Sequence, residues 1–168
     1  SIKVSTVQLG ISSLARGVLF ARQVGCGRGG TLTTHVVITG ASSGLGAALA
    51  RQFARMGCAL SLFGRDIPRL SAVADACRST ASLVEIFNHD VTNAVEMSAA
   101  MARLESRLPV DILIANAGLG GGDALAPAAG ESLDLARRIA DVNFFGVINT
   151  VASLTGPLTT RGQGHVVI

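Results

Sequence analysis

Thr39-Gly40-Ala41-Ser42-Ser43-Gly44-Leu45-Gly46 decides how this chain is read, because of what stands on either side of it. The octet follows a short β-branched run, His35 to Ile38, and precedes a helical pattern from Gly44 to about Met56. Glycines at such a junction let the backbone turn sharply and let a phosphate approach with no Cβ in the way. The opening turn of the helix supplies free N–H groups and a partial positive charge. The segment therefore reads as a phosphate cradle, with Gly40, Ser42, Ser43, Gly44, Leu45 and Gly46 as its ligand-binding residues. Its spacing, Gly-x3-Gly-x-Gly, differs from Gly-x-Gly-x-x-Gly, and the absence of Lys after the last glycine speaks against a P-loop. A glycine-rich turn used only for tight packing is the alternative at this point.

Outward from the octet, short β-branched runs alternate with helical patterns, the signature of βαβ units around a parallel sheet. The first helix is expected to pack through Leu45, Leu49 and Phe53 and to end at Gly57, after which Ala59 to Phe63 reads as a strand. Asp66, ahead of Ile67 and Pro68, can cap a helix running to about Cys77. Leu83 to Phe87 is the next strand. Asn93 and Glu96 then have capping-box spacing, and Met97, Met101, Leu104 and Leu108 mark the core face of the helix they open. Val110 to Ala115 reads as a strand entering a loop with Gly118, Gly120, Gly121 and Gly122, and a long helix is expected from near Glu131 past Asn143 towards Pro157. His165 to Ile168 is a fifth strand, expected at the sheet's edge with no neighbour. The fold class is thus α/β: a Rossmann-like doubly wound parallel sheet, incomplete, of about five strands.

With 168 residues and 49% hydrophobic content the chain has room for one such domain, placed at 35–168. Residues 1–34 hold Lys3, Arg16, Arg22 and Arg28 and no acidic residue. They are set apart as an N-terminal extension, disordered or an artefact of where the chain begins, with a loose likeness to an organelle transit peptide. Without them ten Arg face eleven Asp and Glu, so no basic face points to nucleic acid. Arg16 and Arg22 interrupt the apolar stretch near the start, which leaves no membrane span. Cys26, Cys58 and Cys77 lack metal-ligand or paired spacing. They read as reduced, mostly buried thiols, which favours a cytoplasmic setting, and no metal site is visible.

With Thr39 to Gly46 the sequence resembles the short-chain dehydrogenase/reductase family, whose cofactor loop commonly reads T-G-x-x-x-G-[IL]-G. Further matches fall in strand order. Asp90-Val91, after the third strand, resembles the pair that lines the adenine pocket. Asn116-Ala117-Gly118 resembles the family's N-A-G element, with Ala115 where another Asn usually stands. Asn143, within Asp141-Val142-Asn143-Phe144-Phe145-Gly146, matches the helical Asn that supports the active site. The likeness spans His35 to Ile168 and implies an oxidoreductase that moves a hydride between a nicotinamide and a carbonyl or alcohol. It also implies a small-molecule substrate and a homo-oligomeric parent protein. Without the likeness, Asp90 would stabilise a turn, Asn116 would satisfy loop backbone groups and Asn143 would bond a carbonyl one turn back. A cofactor-sensing module without chemistry is the alternative function.

An NAD site places a carboxylate at the end of the second strand, about 20 residues past the glycine loop, to bond the ribose 2′-OH. Here Leu60-Ser61-Leu62-Phe63 is followed by Gly64 and Arg65. With Gly64 in the acid's place nothing repels a 2′-phosphate, and Arg65 can pair with it, so NADP is expected over NAD. The competing register sets Asp66 at the ribose and leaves Arg65 a surface charge. The chemistry of the family uses a Ser and then Tyr-x-x-x-Lys downstream of the fifth strand. This sequence has no Tyr, its one Lys is Lys3, and it ends before the Ser is due, so Asn143 is the member of that set expected here. The chain is therefore expected to be a truncated, cofactor-binding portion, inactive alone. His89 and His165 show no carboxylate or nucleophile at telling spacing and read as packing or surface histidines.

Overall fold

Every residue of strands β2 (His35–Thr39) and β3 (Ala59–Phe63) is buried. That is why neither shows the alternation of apolar and polar residues: a parallel strand covered by helices on each face has no solvent side, and even His35, Thr39 and Ser61 are buried. The structure, a computed structural model, describes residues 3–5, 33–120 and 133–168. Beyond β3 lies β4 (Leu83–Phe87), and on the other side of β2 lie β5 (Ile112–Ile114), β6 (His165–Val167) and, outermost, β1 (Lys3–Ser5). All pairings are parallel, in the order β1-β6-β5-β2-β3-β4, and Ile38 faces Leu62 on one side and Ile114 on the other.

Alternation along the strands sorts the core into two layers. Val36, Ile38, Leu60, Leu62, Ile112 and Ile114 point to one face, where helices α1 (Gly44–Arg55) and α2 (Ile67–Arg78) cover them with Ala47, Ala50, Phe53, Leu70, Val73 and Ala74. Val37, Phe63, Leu113 and Val166 point to the other, under α3 (Ala94–Arg107) and α5 (Gly146–Arg161), which supply Met97, Met101, Leu104, Leu154 and Leu158. The chain runs outward from β2 to β4 and then returns to β5 on β2's far side. The strand order therefore reverses between β2 and β5, the place where open α/β sheets leave a crevice.

The doubly wound parallel sheet is the one the sequence predicts, with three local corrections. First, β1 lies outside β6, so the fifth expected strand is not the edge and the sheet has six. Second, α1 packs through Gly46, Ala47, Ala50, Phe53 and Ala54, whereas Leu45 is 44% exposed. The small residues allow α1 to approach the sheet closely, and Leu45 is left on the crevice. Third, Pro157 does not end the long helix, which continues to Arg161 and stops where Gly162 turns left-handed at φ 65°. The start of that helix near Glu131 lies outside the described residues, as do Gly121, Gly122 and Cys26. From Leu133 it runs as α4 (Leu133–Ala140), a wide π turn at Asp141–Phe145, and α5.

Cys77 is a buried free thiol, but Cys58 is disulfide-bonded, which departs from the reading of three reduced cysteines. Among the described residues no helix is long and apolar enough to cross a membrane, and no group of three His, Cys, Asp or Glu side chains is placed to hold a metal ion.

Candidate functional site

The glycine loop is held by the strand it leaves and by the strand across the reversal. The Thr39 hydroxyl, at the end of β2, accepts from the backbone N–H groups of Asn116 (3.1 Å) and Ala117 (3.0 Å). In return the Asn116 amide donates to the carbonyls of Thr39 (3.1 Å) and Gly40 (3.4 Å). Ala41 N–H donates to Phe63 O at 3.0 Å, which ties the loop to the end of β3. Gly40 turns at φ 66°, and a Cβ there would stand 2.8 Å from the Ala117 Cα; one at Gly46 would stand 2.3 Å from the Gly40 carbonyl oxygen. Those contacts bring the first turn of α1 directly over the loop. Ser43 caps α1 in an extended conformation but makes no side-chain cap bond, and no acidic residue stands in the first turn. The opening amides of α1 thus have no acceptor from their own cap residue and lie at the crevice with the positive end of the helix dipole.

The crevice is a cleft of about 580 Å³. Every residue expected to hold the cofactor lines it except Gly46, which packs behind the loop. The glycine loop forms its floor. Asn116, Ala117, Gly118 and Leu119, after β5, form one rim; Gly64, Arg65, Asp66 and Arg69, after β3, with His89, Asp90 and Val91, after β4, form the other. At Gly64 a Cβ would meet Leu70 and Ser42 only at 3.4 Å and 3.5 Å, so the position is open, not sterically closed to a side chain. Asp66 serves as the expected cap of α2, accepting from Arg69 N–H at 3.0 Å, and pairs with the Arg69 guanidinium at 3.3 Å.

Arg65 reaches across this rim to Asp90, with Nη1 at 3.2 Å from Oδ2. The other carboxylate oxygen of Asp90 accepts from the Thr92 N–H at 3.0 Å and the Thr92 hydroxyl at 2.9 Å. Burial raises the Asp90 pKa, but the two Thr92 bonds and Arg65 outweigh it and hold the carboxyl below its ordinary value. Asp90 does stabilise a turn, as its plain reading has it, and it also lines the cleft. His89 sits against the stacked pair Phe63 and Phe87, whose centroids are 4.7 Å apart, and its Nδ1 is 3.3 Å from Glu96.

Among the described residues, Asn143 bonds no carbonyl in its own helix. From the π turn its Oδ1 accepts from Leu119 N–H at 2.7 Å and its Nδ2 donates to Leu119 O at 3.1 Å. The turn's wider winding aims the side chain at the loop after β5. Six residues on, Asn149 bonds the loop after β4 through Val91 O at 3.0 Å and Thr92 O at 3.3 Å. Sequence reasoning assigned no part to Thr39, Leu119, Asn149 or Arg69. Thr39 carried a faint signal, a hydroxyl ending an otherwise apolar strand beside glycines; the others carried none.

The family model for short chain dehydrogenase matches residues 34–168. Glycine betaine reductase of Emericella nidulans is 36% identical over 132 residues, which are 78% of this chain and 10% of that protein. Sulfoacetaldehyde reductase of Chromohalobacter salexigens is 35% identical over 140 residues, 82% of this chain and 53% of that one. Among solved structures, an alcohol dehydrogenase from Thermococcus sibiricus complexed with 5-hydroxy-NADP aligns with a TM-score of 0.70 at 31% identity, covering 80% of this chain and 57% of that one. The chain spans about half the length of the last two.

Proposed function

Because the chain belongs to the short-chain dehydrogenase family, we propose that it is the cofactor-binding portion of an NADP-dependent oxidoreductase acting on a carbonyl or alcohol. The carrying observation is the cleft over the glycine loop, with α1's opening amides at its floor and Arg65 on its rim. The groups present fit a dinucleotide. Gly44 and Leu45, at the start of α1 on the cleft, offer backbone N–H groups to a diphosphate, and Gly40 and Gly46 leave no Cβ between loop and helix. Asp90 and Val91 border the adenine end. When bound, a nicotinamide dinucleotide supplies or takes up the hydride. Asn143 holds the loop at Leu119 in place and is the supporting residue of the reaction. The names of the relatives, an aldehyde reductase and an alcohol dehydrogenase among them, support the substrate class. The family match beginning at residue 34 supports taking 35–168 as the body of the domain, to which Lys3–Ser5, from the segment set apart as an extension, adds the outer strand β1.

NADP over NAD rests on Gly64 and Arg65. No carboxylate stands at the end of β3, Asp66 is engaged as a helix cap, and the Arg65 side chain is 57% exposed on the cleft rim. Fluorescence titration with NADPH and NADH tests the assignment. Arg65→Ala is expected to raise the Kd for NADPH about tenfold and to leave that for NADH within about twofold, the scale of one exposed charge-assisted contact. Equal losses for both cofactors would remove the 2′-phosphate assignment. We further place a homo-oligomer interface on the helix carrying Phe144, Phe145 and Ile148, which are 60%, 51% and 46% exposed. Phe144→Ser with Phe145→Ser should then lower the mass measured by light scattering.

A further inference from the structure

The π turn and α5 carry two amide side chains six residues apart, and each grips one rim of the cleft. Asn143 holds the rim at Leu119. Asn149, which does not line the cleft, holds the opposite rim by giving its amide hydrogens to Val91 O and Thr92 O. Both acceptors are carbonyls, so only the NH₂ side of that amide can serve. The same segment is pressed against the helix: a Cβ at Gly146 would stand 2.5 Å from Val91 Cγ2. Thr92, whose carbonyl Asn149 holds, donates through its own N–H and hydroxyl to Asp90 Oδ1. Asp90 Oδ2 in turn holds Arg65. An unbroken series of polar contacts therefore runs from α5, on one face of the sheet, to the guanidinium on the cleft rim.

We infer that Asn149 is a positioning residue for cofactor discrimination: by fixing Val91 and Thr92 it sets where Asp90 presents Arg65 to a 2′-phosphate. The inference rests on the proposed role of Arg65. It follows from the geometry of that series, because Arg65 is long, exposed and held by a single carboxylate. Without an anchored Asp90 the guanidinium would sample many rotamers, and the ordering needed to meet a phosphate would fall on the binding step. Asn149 hydrogen-bonds no residue of the glycine loop, so its effect passes through Asp90 and Arg65 to the 2′-phosphate, which NADPH and 2′,5′-ADP alone among the probes carry.

The test uses the full chain and four probes: NADPH, NADH, and the fragments 2′,5′-ADP and 5′-AMP. Asn149→Ala is expected to weaken NADPH and 2′,5′-ADP about fivefold, as for one lost hydrogen-bonded anchor, while NADH and 5′-AMP move by less than about twofold. Asn149→Asp, which keeps the shape but has no hydrogens to donate, should behave like Asn149→Ala and serves if that variant fails to fold. In an Arg65→Ala background the Asn149 substitution should produce no further change in the NADPH-to-NADH ratio, because the two act in series. A ratio lowered by Arg65→Ala but unmoved by either Asn149 variant overturns this inference and leaves the cofactor assignment standing. Equal weakening of all four probes by Asn149→Ala also overturns it, since that is the mark of a merely structural residue. A ratio unmoved by Arg65→Ala overturns both.

Discussion

Replacing Gly46 with Ala probes the close approach on which the cradle depends. Gly46 lies in the first turn of α1 with no left-handed backbone, so Ala would by itself favour the helix by about 1 kcal/mol. The added methyl, however, would stand 2.3 Å from the Gly40 carbonyl oxygen and 2.7 Å from the Asn116 amide nitrogen. An ordinary carbon–oxygen contact is about 3.3 Å, so loop or helix must retreat by about 1 Å. The first obstacle is backbone, which has no rotamer to escape into. Overpacking of this kind costs about 1–3 kcal/mol. Loosening the Asn116 bonds to Thr39 O and Gly40 O adds about 1 kcal/mol each. Against the helix gain, the net loss is about 2–4 kcal/mol, at about 2–4 °C in Tm per kcal/mol for a domain of this size. Urea and thermal denaturation read it directly. Gly44→Ala is the control: Gly44 is left-handed at φ 53°, but a Cβ there meets nothing within 4 Å, so it loses only the backbone term of about 1–2 kcal/mol. If Gly46→Ala proves as stable as the native chain, or less damaging than Gly44→Ala, the contact does not govern the loop.

Three further outcomes are expected. Thr39→Val keeps the shape of a buried side chain but deprives the Asn116 and Ala117 N–H groups of their acceptor, so it should destabilise by about 2–4 kcal/mol in urea melts. Arg161 pairs with Glu105 and donates to Val110 O, while Glu105 accepts from Val110 N–H at 2.8 Å, and both side chains are largely buried. Arg161→Ala should cost about 3–5 kcal/mol by stranding the carboxylate, and the double replacement Glu105→Met with Arg161→Met should recover much of it. His35 is 2% exposed, bonded to Leu108 O and the Ser61 hydroxyl at 2.9 Å each, and burial chiefly holds its pKa below 6.5 despite opposing help from Leu108 and Asp111. Below pH 6.5 the unfolded chain therefore binds a proton that the folded chain refuses. Stability falls as pH drops from there to the folded pKa, by at most about 1.4 kcal/mol per unit, and the slope should flatten in His35→Gln.

The elements were legible because their signals are local. β3 and β4 run as the sequence predicts, since a short, mostly apolar run bounded by turn residues has few other uses. Asp66 and Asn93 cap α2 and α3 as expected, because a cap is settled within four residues of chain. The glycine octet likewise announced its turn and the helix after it. The face of α1 was not legible in the same way: periodicity marks the bulkiest residues, whereas a helix pressed against a loop buries its smallest.

What the sequence by itself determined is therefore the succession of strands and helices, the turn that opens α1, and the residue types gathered after the strands. Only the tertiary structure decided that β1 lies outside β6, that Asn143 and Asn149 grip opposite rims of one cleft, and that Arg65 is tethered to Asp90. Thr39 and Asn116 are 77 residues apart along the chain, and Asn149 and Val91 are 58 apart. No periodicity or spacing encodes such pairs, because they are fixed by the order in which strands enter the sheet and by how closely one helix can approach it.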